Sequence, residues 1–267
     1  MTYDSVAQFA YSRARALIAP EVRNSHYAYA DRLRAALREG AGRWLDIGCG
    51  HDFLPEWMAP RDRVLRTKGW TVTGIDMDRA SIARHLRLRH RIVANGEQLP
   101  FEDRSFDLIT ANMVIEHVAN PPRLLAEISR TLAPNGRVVL HTPNLNGYTT
   151  RLTRLLPEKV LAPLAGVLLG RKAEDVYPTY YRANSIGTLR TLADAHGLTV
   201  EACDLVNSSP QTMRVPPLML LELLMMRSMR SPRYERLRAC LLVTLRKLGD
   251  GVTEIVSGSE IGNLQTS

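Results

Sequence analysis

A glycine-rich turn and an acidic residue further along the chain are the first candidates for chemistry. Asp46 is followed by Gly48 and Gly50 at the end of a short apolar run. Glycines let the backbone approach a ligand closely, and the N–H groups of a following helix favour a carboxylate. Asp76 ends the next apolar run, where a carboxylate in dinucleotide sites accepts hydrogen bonds from ribose hydroxyls. The pattern predicts a nucleotide-type site; the alternatives are a plain turn and a helix N-cap, which Asp78 can also provide.

These candidates need a parallel sheet to bring them to one edge. Short apolar runs bounded by turn residues predict strands at 44–47, 71–75, 91–94, 106–110, 137–141 and 198–205. Capping and stop signals predict helices at 25–38, after Asp78, at 121–132 and at 185–196. Strands that alternate with helices indicate a parallel sheet with crossover helices.

The predicted organisation has a core with additions at both ends. Residues 1–40 are expected to form an N-terminal helical segment, 41–205 the core, and 206–267 a C-terminal helical addition. Residues 143–183, rich in Leu, Pro, Arg and Tyr, interrupt the core and are expected to form a lid over the predicted site. In the C-terminal addition, 216–229 is apolar and helical, whereas 241–247 fits a final strand or a helix almost equally well.

Composition excludes several classes of protein. The chain has 267 residues, is 45% hydrophobic and carries a net charge of +8. It has no apolar run of about 18 residues and no signal pattern at its start, so we expect a soluble cytoplasmic protein. Its cysteines, Cys49, Cys203 and Cys240, are too far apart for a zinc motif or a disulfide framework. The charge allows an anionic partner, but the arginines are spread along the chain, which favours solvated surfaces.

Longer motifs resemble the class I S-adenosylmethionine-dependent methyltransferases. Residues 44–50 (WLDIGCG) resemble the first motif of that family. The rest of the core follows in the family's order as NGEQLPF at 95–101, SFDLI at 105–109, IEHV at 115–118, LAPNGR at 132–137 and TPN at 142–144. The resemblance is strongest to ubiquinone-type and sugar or natural-product O-methyltransferases. It implies a Rossmann-like, doubly wound, mostly parallel seven-stranded sheet with helices on both faces.

The resemblance implies a site for the cofactor S-adenosylmethionine. Asp46, Gly48 and Gly50 would hold its methionine moiety, and Asp76 would bind its ribose. Its adenine would be contacted by Met77, Asn95 (in place of the usual Asp) and Gly96. Asn112 would lie near its methionine end.

The chain departs from the family's pattern at two points around the first motif. Asp52 stands where a third glycine is usual, and Asp tolerates left-handed backbone angles better than most residues. Residues 55–64 resemble an inserted loop.

Two histidines are candidate bases for removing a proton from a hydroxyl acceptor. His117 follows the fourth strand and is the first candidate, and His141 at the end of the fifth strand is the second; a structural role is the alternative for each. Tyr180 and Tyr181, next to Arg182, are expected to line the acceptor pocket or to pack in the core. They belong to the motif DVYPTYYR at 175–182, which resembles a bacterial subgroup linked to glycan or secondary-metabolite pathways.

A metal site is not expected. Some relatives bind a divalent ion through Glu-x-x-Glu-His, but here Met113 takes the first position before Glu116 and His117. A thioether is a poor ligand for a hard cation.

The sequence therefore predicts methyl transfer to a small-molecule acceptor, most simply the hydroxyl of a glycan, lipid or secondary metabolite. An RNA methyltransferase is the alternative that the positive charge suggests, although no RNA-binding module is present and no nucleic-acid partner is expected. A catalytically silent S-adenosylmethionine-binding scaffold is another alternative, suggested by Asp52. The apolar segment 215–226 is expected to be buried against the domain; a homodimer face and peripheral membrane contact are its other two interpretations.

Overall fold

The computed structural model describes residues 3–38, 40–54, 58, 69–85, 87–155 and 178–249. A seven-stranded sheet lies at its centre. The strands are β1 (Gly42–Ile47), β2 (Trp70–Asp76), β3 (His90–Val93), β4 (Phe106–Asn112), β5 (Leu132–Pro143), β6 (Leu198–Val206) and β7 (Cys240–Lys247). Their order is β3-β2-β1-β4-β5-β7-β6, and β7 alone runs antiparallel to its neighbours. This confirms the predicted Rossmann-like, mostly parallel architecture.

Helices precede the sheet and connect its strands. Those in the described part of the chain are α1 (Tyr3–Ile18), α2 (Ser25–Arg38), α3 (Arg79–Ala83), α4 (Pro121–Thr131), α5 (Tyr148–Leu155), α6 (Ile186–Ala195) and α7 (Pro216–Ser228). Two 3₁₀ turns, at Ile115–His117 and Pro232–Leu237, complete the described elements. Asp78 and Ser185 cap α3 and α6 by accepting hydrogen bonds from the backbone of Ala80 and Thr188, as side-chain oxygens at N-caps do.

Both faces of the sheet are covered, which confirms that part of the predicted fold. On one face α4 and α6 contribute buried apolar side chains, which are Leu124, Leu125, Ile128, Leu189 and Ala193. On the other face α2 contributes Tyr29, Leu33 and Leu37, which pack with Trp44 of β1 and Val139 of β5. Because both faces of the sheet are shielded from water, the sequences of the central strands are almost continuous apolar runs.

The segment whose type the sequence left open, 241–247, belongs to a strand. β7 lies between β5 and β6 and is buried on both faces from Cys240 to Leu245. A strand buried on both sides loses the alternation that would distinguish it from a buried helix. The strand assignment of 241–247 therefore depends on its pairing with β5 and β6, because its own sequence of apolar residues does not distinguish a strand from a helix.

A third apolar cluster packs the N-terminal helix α1 against α7 of the C-terminal addition. Met219, Leu223 and Met226 of α7 are buried against Tyr11 of α1. The expected burial of 215–226 is therefore correct for one face of α7, while the opposite face stays exposed. No helix among the described residues is long and apolar enough to cross a membrane. Most of the expected inserted loop, 55–64, and most of the expected lid lie outside the described residues.

Candidate cofactor and acceptor site

The predicted site residues meet where the strand order reverses. β1 lies between β2 and β4, whose connections leave in opposite directions and open a crevice at the carboxyl ends of the strands. Asp46 lies near the end of β1, Asp76 ends β2 and Asn112 ends β4. His141 of β5 is in register with Asn112. The fold thus brings four residues predicted from separate motifs to one edge of the sheet.

The glycine turn bends sharply toward β2. The N–H groups of Gly48 and Cys49 both donate to the carbonyl of Ile75, at 2.8 and 3.0 Å. Gly48 has φ +66°, and a Cβ there would lie 2.4 Å from Cγ2 of Val114, so no larger residue fits. Gly50 also has positive φ, at +54°, yet a Cβ on it would meet nothing within 4 Å. The turn therefore leaves open space beside Gly50, as a cradle for a ligand requires.

Asp76 fixes the other side of this turn. Its Oδ2 accepts a hydrogen bond from the backbone N–H of Gly50 at 2.8 Å, and its Oδ1 accepts one from Asp78 at 2.8 Å. The N-cap role for Asp76 is wrong, because Asp78 caps α3. A carboxylate has about four acceptor positions, so two remain after these bonds. Asp76 is half-buried at the crevice, and its remaining lone pairs suit ribose hydroxyls.

Asp46 is a buried acidic group next to the glycine turn. The hydroxyl of Thr110 donates to its Oδ1 at 2.5 Å and in turn accepts a bond from the Trp44 indole at 2.8 Å. Burial raises the pKa of Asp46 to about 7; the Thr110 hydrogen bond opposes this increase, and the charge of Asp76 adds to it. A bound cation would favour the ionised form. The ammonium and sulfonium of the methionine moiety are cations of that kind, so the residues present fit the cofactor.

The residues predicted to contact adenine lie just after the carboxyl ends of β2 and β3. The backbone N–H of Ala94 donates to the carbonyl of Asp76 at 3.1 Å, which places Asn95 and Gly96 beside Met77. The Met77 side chain is 70% exposed. Oδ1 of Asn95 already accepts a bond from the N–H of Glu97 at 2.9 Å. The amide therefore shapes its own turn, and any bond it accepts from adenine would use a second lone pair.

Gly96 has a packing role that the sequence did not reveal. A Cβ at this position would lie 3.0 Å from Leu124 of α4 and 3.1 Å from Ile47 of β1. These contacts are tight, so the Leu124 and Ile47 side chains would have to shift by a few tenths of an ångström to admit a Cβ. The glycine therefore serves the close approach of α4 to the sheet, besides any contact with a ligand.

His141 lies inside the protein. Its side chain is completely buried, and its Nδ1 lies 2.7 Å from Oδ1 of Asn112. The ring stacks on Tyr29, with centroids 5.6 Å apart, and meets the edge of His26 at 5.0 Å. Burial, with a smaller contribution from His26, lowers the pKa of His141 well below its usual range. The neutral ring therefore donates its Nδ1 proton to Asn112, and its Nε2 has no hydrogen-bond partner among the described residues.

His117 has a different environment. It ends the 3₁₀ turn after β4, and its side chain is partly exposed. Nδ1 lies 2.8 Å from the carbonyl oxygen of Pro178, which can only accept, so Nδ1 carries the proton in the neutral ring. Nε2 is then the basic nitrogen and lies 3.9 Å from Oε1 of Glu116. Glu116 itself is buried, and its Oε2 accepts a bond from the Thr142 hydroxyl at 2.9 Å.

The end of the expected lid, at 180–182, is tied to this histidine turn. The N–H groups of Tyr180 and Tyr181 donate to the carbonyl of Glu116 at 2.7 and 3.3 Å. Arg182 donates to the carbonyl of Ala119, and its guanidinium lies 5.2 Å from the Tyr180 ring centroid. Tyr180 is 45% exposed, so core packing is the wrong interpretation for this residue. The acceptor-pocket role of both tyrosines stays a prediction, and the motif residues 175–177 lie outside the described residues.

The structure corrects one expectation about the departures from the family pattern. Asp52 is not among the described residues with positive φ, so tolerance of left-handed angles is not what lets it replace a glycine. Its carboxylate lies 3.9 Å from Nε of Arg87.

Met113, at the position where some relatives have a metal ligand, has positive φ, at +57°, and its N–H donates to the carbonyl of His141 at 2.7 Å. Among the described residues no cluster of His, Cys, Asp or Glu has the arrangement of a metal site.

Comparisons with known proteins agree with this site. The family model described as a methyltransferase domain matches residues 22–202. A ubiquinone biosynthesis O-methyltransferase of Pseudomonas aeruginosa is 36% identical over 110 residues, which are 38% of this chain and 44% of that protein. The chain thus matches less than half the length of this curated relative.

Two solved structures share the fold. One is a Haloferax volcanii complex of a methyltransferase with its activator, at TM-score 0.55 and 18% identity, covering 92% of this chain and 97% of that one. The other, described as a sarcosine dimethylglycine methyltransferase of Galdieria sulphuraria, has TM-score 0.51 and 16% identity, covering 83% of this chain and 86% of that one. The family match and the strand order agree, so the chain belongs to the methyltransferase domain family, within the class I S-adenosylmethionine-dependent methyltransferases.

Proposed function

We propose that this chain transfers the methyl group of S-adenosylmethionine to a hydroxyl of a small molecule, with His117 as the general base. The observation that carries the proposal is the geometry of His117. Its ring is held through Nδ1 by the Pro178 carbonyl, which leaves Nε2 as the basic nitrogen at the carboxyl edge of the sheet. The ubiquinone biosynthesis O-methyltransferases among the relatives support a hydroxyl acceptor. The acceptor class is a glycan, a lipid or a secondary metabolite.

The cofactor would lie against the glycine turn, with Asp46 beside its methionine moiety and Asp76 at its ribose. When bound, it supplies an electrophilic methyl group on a sulfonium. The protein's main contribution is then alignment of the acceptor oxygen with that methyl group at near-contact distance. Asp46 would be ionised next to the cationic moiety, because a cation at this place offsets the cost of burying the carboxylate.

His117 would take the proton of the acceptor hydroxyl on Nε2. The bond from Nδ1 to Pro178 fixes the tautomer that makes this possible. As the ring becomes cationic, the Glu116 carboxyl 3.9 Å away would stabilise it. General base catalysis of this kind typically contributes about 10²- to 10⁴-fold in rate.

His141 is the weaker candidate for the base and better suited to a positioning role. It is completely buried, and burial lowers the pKa of His141 well below its usual range, so the ring is a poor proton acceptor. Its bond to Asn112 would instead hold that amide toward the crevice. His117 therefore remains the first candidate for the base and His141 the second.

Substitution of His117 by Asn tests the assignment, because the Asn amide can still donate to the Pro178 carbonyl but offers no basic nitrogen. Activity is measured as transfer of a radiolabelled methyl group to a panel of phenols, catechols and glycosides. We expect kcat to fall about 10²- to 10⁴-fold, with an unchanged cofactor Kd. His90→Asn, an exposed histidine on the edge strand β3, is the matched control. Full activity in His117→Asn would eliminate His117 as the base, and methylation of bulk RNA in place of the panel would overturn the small-molecule acceptor.

A further inference from the structure

One helix of the C-terminal addition is apolar on two opposite faces. Met219, Leu223 and Met226 of α7 are buried against α1 and its neighbours. The opposite side of the same helix exposes a continuous set of large apolar side chains, which are Leu218, Leu221, Leu224 and Met225. Their spacing of three and four residues places them along one stripe of the helix. Leu221, at the centre of the stripe, is 64% exposed.

Four arginines, the arginine row, directly follow this stripe in the sequence. Arg227, Arg230, Arg233 and Arg236 recur at every third position, and all four are exposed. Residues 210–238 contain six arginines and two acidic residues, and neither acidic residue cancels this charge at the stripe. Glu222 is buried, where it accepts bonds from Tyr148 and from the backbone of Gln211 and Thr212. Glu235 lies 3.6 Å from Arg238.

We propose that the exposed stripe of α7 and the following arginine row form a docking surface for an anionic phospholipid bilayer. Helices that lie in the interface plane combine an apolar face, which enters the acyl boundary, with cationic residues that attract anionic headgroups. α7 has 13 residues, far fewer than a span needs, so it would lie on the bilayer. Tyr234, which is also exposed, is a residue type enriched at membrane interfaces.

Charge favours a bilayer over a second copy of this chain. A two-fold contact through the same stripe would bring two arginine rows to the rims of one interface, where like charges repel. An anionic surface instead complements them. The structure gives partners for three arginines of this row: Arg230 lies 3.5 Å from Glu21, Arg227 donates to the backbone carbonyl of Ile18, and the Arg233 guanidinium lies 5.7 Å from the centroid of the Tyr234 ring. Of these three contacts, one is with an acidic side chain, so most of the positive charge of the row is not neutralised by them.

Flotation of the full chain with vesicles tests the proposal. The two vesicle compositions are pure phosphatidylcholine and a 7:3 mixture of phosphatidylcholine and phosphatidylglycerol. We expect flotation with the anionic vesicles and its reduction by salt. The double variant Leu221→Glu/Leu224→Glu should bind at least about tenfold more weakly, and Arg230→Gln/Arg233→Gln roughly twentyfold more weakly. Both pairs are exposed, so folding should be unaffected, which circular dichroism and thermal melts check.

The matched control is Leu17→Glu on α1, since Leu17 is 82% exposed but lies outside the stripe. This variant should bind vesicles within about twofold of wild type. Wild-type protein that does not float, or variants of the stripe that float like wild type, would overturn the proposal. A dimer in light scattering that Leu221→Glu/Leu224→Glu dissociates, without vesicle binding, would assign the stripe to self-association. None of these outcomes depends on methyl transfer.

Discussion

The buried carboxylate of Asp46 makes cofactor binding depend on pH in a defined way. Burial raises the pKa of Asp46 to about 7 in the free protein, so the group is mostly protonated at mildly acidic pH. A cationic methionine moiety next to it should require the ionised form. Binding at low pH must therefore release the proton, and the free energy of that release weakens the observed affinity.

The size of the effect follows from the titration curve. Nearly all of the free protein carries this proton at pH 5.5 and about half at pH 7.0, so Kd should be weaker at the lower pH by about one order of magnitude. The ammonium of the cofactor stays charged over this range, since α-amino groups titrate near pH 8. Calorimetry in buffers of different ionisation enthalpy should detect release of about one proton per binding event at pH 5.5.

Asp46→Asn is the control for this prediction, because Asn can still accept the Thr110 hydroxyl but does not titrate. It should bind more weakly at pH 7.0 and lose the pH dependence. The free protein gives a second check. Since the folded pKa lies above the unfolded value of 3.8, the stabilisation from protonated Asp46 is complete below pH 3.8 and is lost as pH rises through 7. Asp46→Asn should therefore raise Tm at pH 8. A wild-type Kd that is constant from pH 5.5 to 7.0, with no proton release, would refute the reasoning.

Three further predictions concern the turn and the C-terminal addition. Gly48→Ala should lower the free energy of unfolding by at least about 2 kcal/mol in urea titrations, because its Cβ would clash with Val114 at a positive φ; stability equal to wild type would disprove the clash. Gly50→Ala should cost only about 1 kcal/mol, yet weaken cofactor binding by calorimetry, since its Cβ would fill the open space of the cradle. Tyr148→Phe should lower stability by about 1–2 kcal/mol, because it removes a 2.7 Å hydrogen bond to buried Glu222; an unchanged melting curve would argue against that bond.

Local signals in the sequence were sufficient for the elements that carry the cofactor site. Residue type and neighbouring periodicity predict Asp46 near the end of β1, Asp76 at the end of β2, and the caps Asp78 and Ser185. Such features depend on a few adjacent residues, so a single sequence contains the information. The topology that joins them follows from the alternation of strands and helices together with the family resemblance.

The environment of the two histidines could not be predicted in the same way. His141 is buried because Tyr29 and His26, more than a hundred residues earlier, cover it from α2. The carbonyl that orients His117 comes from Pro178, near the end of the segment that interrupts the core. Thr110, which holds Asp46, sits in an apolar strand where its hydroxyl gives no separate signal. Each contact is long-range, so residue spacing alone does not report it.

The central claim is that the glycine turn and Asp76 together bind the adenosyl-sulfonium cofactor. Calorimetric titration of S-adenosylmethionine into wild type, Asp76→Ala and Asp78→Ala tests it most directly. Saturable one-to-one binding is expected for wild type, with a Kd about 30-fold or more weaker for Asp76→Ala, because two hydrogen bonds to the ribose and the support of Gly50 are lost. Asp78→Ala removes the cap of α3 and the bond from the Ser81 hydroxyl but keeps the backbone N–H that donates to Asp76, so it should bind like wild type. Absence of binding to wild type, or equal affinity for Asp76→Ala, would contradict the claim.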